Sequence, residues 1–174
     1  MSRVVLSLTL LLLFFLESTV LPFFSPSSWG LSFLTVPRFA LVGTIFVALF
    51  IGRREGLLYG MILGLLHDVM YGKVIGVFAL SMMVASYFSG LVFLLFHRSI
   101  AVVASTVILV LFGHEWLLYS LFRLFYTSPV DVQWVLTKRI LPSVALNFVF
   151  ALLVYLPFSK LCTAVKENKE TQGE

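Results

Sequence analysis

The stretch that says most about how this chain folds is residues 52–68, which read GRREGLLYGMILGLLHD. Its glycines recur at every fourth residue, and that spacing places them on one slowly winding stripe of a helix. In lipid, burial of apolar surface gives helices no reason to associate, so a stripe of small residues that lets two backbones come close favours packing. The stretch therefore predicts a membrane helix that packs along its glycines, which are Gly52, Gly56, Gly60 and Gly64.

The composition of the whole chain also indicates a membrane environment. Of the 174 residues, 60% are hydrophobic and only 11% are charged, against about 25% charged in an ordinary soluble domain. So few polar residues cannot cover a water-soluble globule, and the surplus apolar surface must face lipid. At about 20 apolar residues per spanning helix, the chain has room for about six spans and for no separate soluble domain.

We therefore predict an all-α integral membrane protein with one six-helix domain over residues 1–159. Within residues 37–71, a single helix would carry Arg53, Arg54 and Glu55 into the bilayer centre at a cost of several kcal/mol. A hairpin of two short helices, with these charges at an aqueous turn, avoids that cost. The expected spans are 4–21, 37–52, 55–71, 74–96, 99–122 and 140–159.

The remaining segments are expected to lie at or outside the membrane surface. The first apolar run lacks a small-residue cleavage signal, so we interpret it as a retained helix. Residues 22–36 are rich in turn-forming and aromatic residues and predict an interfacial loop. Residues 126–139 predict a loop with a short interfacial helix that starts at Thr127-Ser128-Pro129. Residues 160–174 predict a polar, mobile cytoplasmic tail.

Basic residues orient the chain. With the N-terminus inside, seven Lys and Arg side chains lie on the cytoplasmic side: Arg3, Arg53, Arg54, Arg98, Lys160, Lys166 and Lys169. Five lie outside: Arg38, Lys73, Arg123, Lys138 and Arg139. Six spans place both termini on the same side, and the positive-inside rule favours the cytoplasm for both.

This topology gathers the intramembrane ionisable residues near the outer ends of the helices. The expected polar cluster contains Glu17, Arg38, Asp68, Glu115 and Arg123. We expect Glu17 to pair with Arg38 and Glu115 to pair with Arg123. Asp68 must either accept hydrogen bonds from backbone N–H groups or pair with a cation, because a bare carboxylate in the membrane is costly. Structural ion pairs and an outward-facing polar pocket are both compatible with this pattern.

A second stripe of small residues follows the fourth expected helix, at Ser81, Ala85 and Ser89. Like the glycine stripe, it can pack against helices of the same chain or present a docking face to another membrane protein. The sequence does not separate these two interpretations.

Several classes of function are excluded or unsupported. One cysteine, Cys162, allows no internal disulfide framework and no thiolate metal site. His67, Asp68, His114 and Glu115 lack the spacing of metal ligands, and the chain has neither a GxSxG elbow nor a phosphate-binding glycine loop before a lysine. A net charge of +4 does not suggest a nucleic-acid surface. We therefore expect a protein that is not an enzyme and that needs no metal and no cofactor.

Residues 46–91 resemble the MreD family of bacterial rod shape-determining proteins. The resemblance lies in Gly56-x3-Gly60-x3-Gly64-Leu65-Leu66-x-Asp68-x3-Gly72-x3-Gly76-x2-Ala79-Leu80. It implies a multi-pass protein of the bacterial inner membrane that acts as a scaffold in cell elongation. The implied partners are an MreC-like protein, an MreB-like filament and peptidoglycan synthases. It also implies a fold like that of the S component of energy-coupling-factor vitamin transporters, which has six helices and an outward-opening pocket.

An S component of a vitamin transporter is the alternative function. Such proteins generally carry an Ala-x3-Ala face on the first helix, and residues 7–15, SLTLLLLFF, lack it. The outward cluster of ionisable residues would suit a ligand pocket, which keeps this alternative open. A channel or proton-coupled carrier would need polar residues at mid-membrane on several helices, and the fourth and sixth helices offer only serines and Asn147.

Overall fold

Helices make up the whole architecture of the computed structural model, which describes residues 2–20, 34–96, 99–125 and 131–171. The first five helices are α1 (Ser2–Val20), α2 (Phe39–Phe50), α3 (Arg53–Tyr71), α4 (Val77–Leu95) and α5 (Ile100–Phe125). The sixth, α6, runs without a break through Val132–Val135, a π-helical turn Leu136–Ile140, and Leu141–Thr171. Most of the expected interfacial loop and the expected helix start at Thr127-Ser128-Pro129 lie outside the described residues.

Helix α2 forms the centre of the bundle. Every residue from Phe39 to Leu49 is buried, and α1, α3, α4 and α6 pack around them. The ring of Phe46 lies 5.8 Å from that of Phe158 on α6. Twelve residues extend only about 18 Å, less than the hydrocarbon thickness of about 30 Å. Because protein rather than lipid surrounds α2, its length need not match the bilayer.

Several charged side chains of this bundle are buried, while many large apolar side chains are exposed. Glu17 and Asp68 are 1% exposed, whereas Ile75, Leu124 and Leu153 are 74–78% exposed. In the described residues, two helical segments are long and apolar enough to cross a membrane, Ile100–Phe125 and Val132–Glu167. Shorter apolar helices accompany them. An apolar exterior around a partly polar interior is the arrangement of a protein in lipid.

Helix α3 packs against α4 through two glycines of its stripe. A Cβ atom added at Gly60 would lie 2.8 Å from the carbonyl oxygen of Met82, and one at Gly64 would lie 2.5 Å from the Cα of Ala79. Both distances are far shorter than a van der Waals contact. In both cases the neighbouring atom belongs to the backbone of α4, which cannot move aside without cost. These two glycines therefore serve helix packing within the chain.

The two remaining glycines of the stripe have different neighbours. A Cβ atom at Gly56 would overlap the Cβ of Ala48 on α2, so this glycine lets α3 approach the central helix. Gly52 precedes the first turn of α3, and a Cβ there would meet the Glu55 carboxylate of its own turn. The stripe that packs helices thus begins at Gly56.

The small residues of α4 are also buried, including Ser81, Ala85 and Ser89. Ser81 contacts His114 of α5, and the hydroxyl of Ser89 donates to the carbonyl of Ser86 in its own helix. Ser86, which the stripe does not include, donates a hydrogen bond to Thr44 of α2 over 2.8 Å.

Helix α6 begins eight residues earlier than expected, because a proline is accommodated inside it. Pro142 has no N–H to donate to the carbonyl of Lys138 four residues before it. A π-helical turn precedes the proline, and the N–H of Leu34 donates to the Lys138 carbonyl over 2.7 Å instead. Residues 132–139, expected as a loop with a short separate helix, are instead the start of this continuous helix, which begins at Val132 and is capped by the side chain of Asp131.

The expected mobile tail from residue 160 is also helical, as far as Thr171. Cys162 and Val165 belong to the buried core that includes Leu6 of α1. The segment could not fold alone, but packing against the bundle stabilises it. Residues 172–174 lie outside the described residues.

We expect Gly64→Leu to destabilise the bundle by a few kcal/mol, because overpacked interiors lose that order of stability and the backbone of α4 blocks the new side chain. Thermal unfolding of the purified protein in detergent measures the effect. Gly113→Leu is the matched control, since a Cβ atom at Gly113 meets nothing within 4 Å. Equal unfolding temperatures for the two variants would contradict this account of the stripe.

Candidate functional site

One end of the bundle gathers charged side chains from five parts of the chain. They come from α1, the residue before α2, α3, α5 and the π-helical turn of α6, and we call them the charge cluster: Glu17, Arg38, His67, Glu115 and Arg139. All except Arg139 are buried. The cluster therefore joins segments that are far apart in sequence, and most of its side chains are buried.

Arg38 lies at the centre of the charge cluster. Its Nε atom is 2.9 Å from Oε1 of Glu115, and its Nη1 atom is 3.9 Å from Oε1 of Glu17. The guanidinium also lies 5.2 Å from the centre of the Phe78 ring, a distance at which a cation is attracted to an aromatic face. One buried cation thus links α1, α2, α4 and α5.

Glu17 and His67 are in contact inside the bundle and join α1 to α3. Nδ1 of His67 is 2.9 Å from the carbonyl oxygen of Leu63, and because a carbonyl only accepts, Nδ1 must carry a hydrogen. Nε2 of the same ring is 2.9 Å from Oε1 of Glu17. The second oxygen of Glu17 accepts the N–H of Ala40 at the start of α2.

Polar side chains of α6 bind the extended segment that leads into α2. The N–H of Arg38 donates to Oδ1 of Asn147 over 2.6 Å, and Nδ2 of Asn147 donates to the carbonyl of Val36. The N–H of Val36 donates to the hydroxyl of Ser143. Sequence reasoning did not assign Ser143 or Asn147 to the site, although their spacing of four residues, which puts both on one helix face, was a usable signal.

Asp68 caps the next helix. Its two carboxylate oxygens accept the N–H groups of Phe78 and Ala79, each over 2.9 Å. These are among the first N–H groups of α4, which have no partner within their own helix. The residue before α4, Gly76, has no side chain to cap it and adopts a left-handed conformation with φ of 102°, which favours glycine. Asp68 was expected either to accept hydrogen bonds from backbone N–H groups or to pair with a cation, and the structure shows the hydrogen bonds to backbone N–H groups.

Only one of the two expected ion pairs is present. Glu17 does lie beside Arg38, but the pairing of Glu115 with Arg123 is wrong. Glu115 contacts Arg38 and Arg139 instead, while Arg123 is exposed and lies 3.5 Å from the hydroxyl of Tyr119. Eight residues on one helix are about 12 Å apart along its axis, so Glu115 reaches other helices more easily than it reaches Arg123.

The arrangement suits the joining of helices more than chemistry on a solute. The buried carboxylates accept hydrogen bonds or ion-pair contacts from other parts of the chain, and both ring nitrogens of His67 are engaged. Within the part of the chain that the structure describes, no three His, Cys, Asp or Glu side chains are grouped to hold a metal ion. Two large grooves, of about 520 and 410 Å³, lie elsewhere on the bundle.

Comparison with known proteins gives a consistent family assignment. The family model described as rod shape-determining protein MreD matches residues 2–165. The Rod shape-determining protein MreD of Bacillus subtilis strain 168 is 26% identical over 132 residues, which cover 76% of this chain and 77% of that protein. No solved structure matches.

We expect Asp68→Asn to be tolerated and Asp68→Leu to destabilise the protein by about 1–2 kcal/mol, the usual cost of losing an N-terminal cap. Asparagine retains one acceptor for the N–H groups of α4, whereas leucine retains none. Membrane abundance and thermal unfolding in detergent measure both effects. A folded, abundant Asp68→Asn protein that no longer supports rod shape would show that Asp68 has a role beyond capping.

Proposed function

Because this chain belongs to the MreD family of rod shape-determining proteins, we propose that it is a non-enzymatic scaffold of the bacterial cell-elongation machinery. In this proposal it lies in the inner membrane and holds together an MreC-like protein, an MreB-like filament and peptidoglycan synthases. The observation that supports a scaffold is the charge cluster, whose groups bind one another and join helices of the same bundle.

The engagement of the reactive side chains supports a non-enzymatic role. Glu17 and Asp68 each use both carboxylate oxygens for contacts within the chain. Cys162 is fully buried and is not placed to act as a nucleophile. The same engagement disfavours an S component of a vitamin transporter, because such a protein would need polar groups free to bind its ligand.

We also propose six membrane spans with both termini in the cytoplasm. Arg3 near the N-terminus, Glu55 after the turn between α2 and α3, and Val165 near the end of α6 all line the groove of 520 Å³. These three segments therefore meet at one end of the bundle, opposite the charge cluster. The excess of basic residues expected on that side supports a cytoplasmic location.

A depletion experiment in the source bacterium tests the scaffold. A tagged MreC-like protein is purified in mild detergent before and after depletion of this chain. We expect the peptidoglycan synthases to be recovered with it before depletion and to be lost after depletion, at unchanged membrane levels of both proteins. Re-expression of the wild-type chain should restore their recovery.

The control is depletion of an unrelated multi-pass membrane protein, which should leave recovery unchanged. If the MreC-like protein and the synthases stay together in the absence of this chain, the scaffold proposal is wrong, and its role in rod shape must be exerted in another way.

A further inference from the structure

The groove of about 520 Å³, at the end of the bundle away from the charge cluster, combines charged, hydroxyl and apolar side chains. A volume of this size is in the range of sites that hold a small ligand or part of a larger one. The exposed side chains of Leu58 and Ile62 form part of its wall, so the groove opens towards lipid along α3. Its polar lining consists of Arg3, Ser7, Glu55 and Tyr59.

The two helices that supply the polar lining run side by side in the same direction. Near their starts, the hydroxyl of Ser7 on α1 lies 2.9 Å from the hydroxyl of Tyr59 on α3. Near their ends, Glu17 on α1 lies 2.9 Å from His67 on α3. Residues at equal distances before or after these contacts therefore lie at similar depths in the bundle.

The lining changes from charged to apolar with depth. Arg3 and Glu55 each come four residues before one of the two hydroxyl-bearing residues, so both lie about 6 Å nearer the end of the bundle. Ile62 follows Tyr59 by three residues and lies about 4.5 Å deeper. The groove is thus charged at its mouth, carries hydroxyl groups one turn further in, and is apolar beyond them.

A phospholipid presents the same order of groups along its length, with a charged headgroup, then ester groups, then acyl chains. Charged side chains at the end of a membrane helix lie at the level of lipid headgroups, and a basic pocket at that level suits a headgroup. We propose that this groove binds one phospholipid that has an ethanolamine headgroup. Its phosphate binds Arg3, an ester group lies at Tyr59, and an acyl chain lies against Ile62. The proposal goes beyond the scaffold role and does not rest on it.

The two charges at the mouth of the groove favour a headgroup that carries both signs. The guanidinium of Arg3 suits a phosphate, and the carboxylate of Glu55 suits the ammonium group of ethanolamine. A carboxylate has several acceptor sites, so Glu55 can bind the ammonium group in addition to its contacts within the chain. A phosphatidylglycerol headgroup has no cation to offer Glu55, and the choline group of phosphatidylcholine has no N–H to donate.

The pair of hydroxyl groups can serve an ester oxygen. The hydroxyl of Ser7 donates to the carbonyl of Arg3 over 3.0 Å and also lies beside Tyr59. Because the Arg3 carbonyl accepts the N–H of Ser7 within the helix as well, the Ser7 hydroxyl can donate to Tyr59 instead without leaving that carbonyl unsatisfied. The phenol hydrogen of Tyr59 is then available to an ester oxygen.

Retention of lipid by the purified full chain tests the site. The protein is stripped of lipid by repeated washing in detergent and incubated with micelles that contain dioleoyl phosphatidylethanolamine, phosphatidylglycerol or phosphatidylcholine. It is then purified again, and bound phosphorus is measured. We expect about one phosphatidylethanolamine per chain, as a groove of this size allows, and several-fold less of the other two lipids. Equal retention of the three lipids, or no retention of any, would overturn the proposal.

Arg3→Gln tests the contact with the phosphate. Retention of phosphatidylethanolamine should fall about tenfold, because a charge-assisted hydrogen bond is lost. Arg54→Gln is the matched control, since it removes the same charge from an exposed residue at the same end of the bundle that does not line the groove. It should leave retention unchanged. An equal loss in both variants would assign the binding to the basic surface as a whole and would overturn the site.

Glu55→Gln tests the choice of headgroup. Without the carboxylate, retention of phosphatidylethanolamine should fall several-fold and retention of phosphatidylglycerol should rise, whereas an unchanged preference would contradict the role of Glu55. Soluble phosphoethanolamine, added in large excess, separates a lipid from a free phosphate compound. It lacks the acyl chains that lie against the apolar wall and should not displace the bound lipid. Complete displacement would mean that the groove recognises the headgroup alone and would overturn the lipid site.

Discussion

The fold depends on how one buried cation, Arg38, is neutralised. An unpaired charge in a membrane interior is costly, and Arg38 avoids that cost only where Glu115 and Glu17 reach it from α5 and α1. Since apolar surface drives no association of helices in lipid, this requirement gives the bundle a reason to assemble in one arrangement. The contact between His67 and Glu17 adds a second polar link inside the bundle, between α3 and α1.

Close contact between helix backbones is the second constraint on the fold. Gly60 and Gly64 bring α3 against α4, and Asp68 then supplies the N–H groups of α4 with acceptors at the end of the same helix. The central helix α2 can be short because its neighbours cover it on all sides. Ion pairs and close helix contacts together thus hold the helices of the bundle in place.

Local patterns in the sequence predicted that residues 52–68 form a helix with its glycines on one stripe, because helical spacing depends on residues within a few turns of one another. They left two alternatives for the surroundings of Asp68 and two for the partner of the glycine stripe. The partner of Glu115 could not be predicted in this way. Helical spacing shows which face a residue occupies, but which helices face each other is decided by tertiary packing, and here that packing brings Arg38 and Arg139 to Glu115. The start of α6 was missed for a similar reason, since the carbonyl that Pro142 leaves free is satisfied by Leu34, more than one hundred residues away in sequence.

A double-mutant cycle on Arg38 and Glu115 tests this account most directly, with free energies of unfolding measured in detergent micelles. Arg38→Met and Glu115→Gln should each destabilise the protein by about 3–5 kcal/mol, because each leaves a buried charge without its partner. The double variant should be more stable, by at least about 1 kcal/mol, than the sum of the two separate losses predicts. As a control, Arg123→Met, at an exposed position, should change the free energy of unfolding by less than about 0.5 kcal/mol. Additive losses for the two substitutions, or an equally large loss for Arg123→Met, would contradict the central place of Arg38.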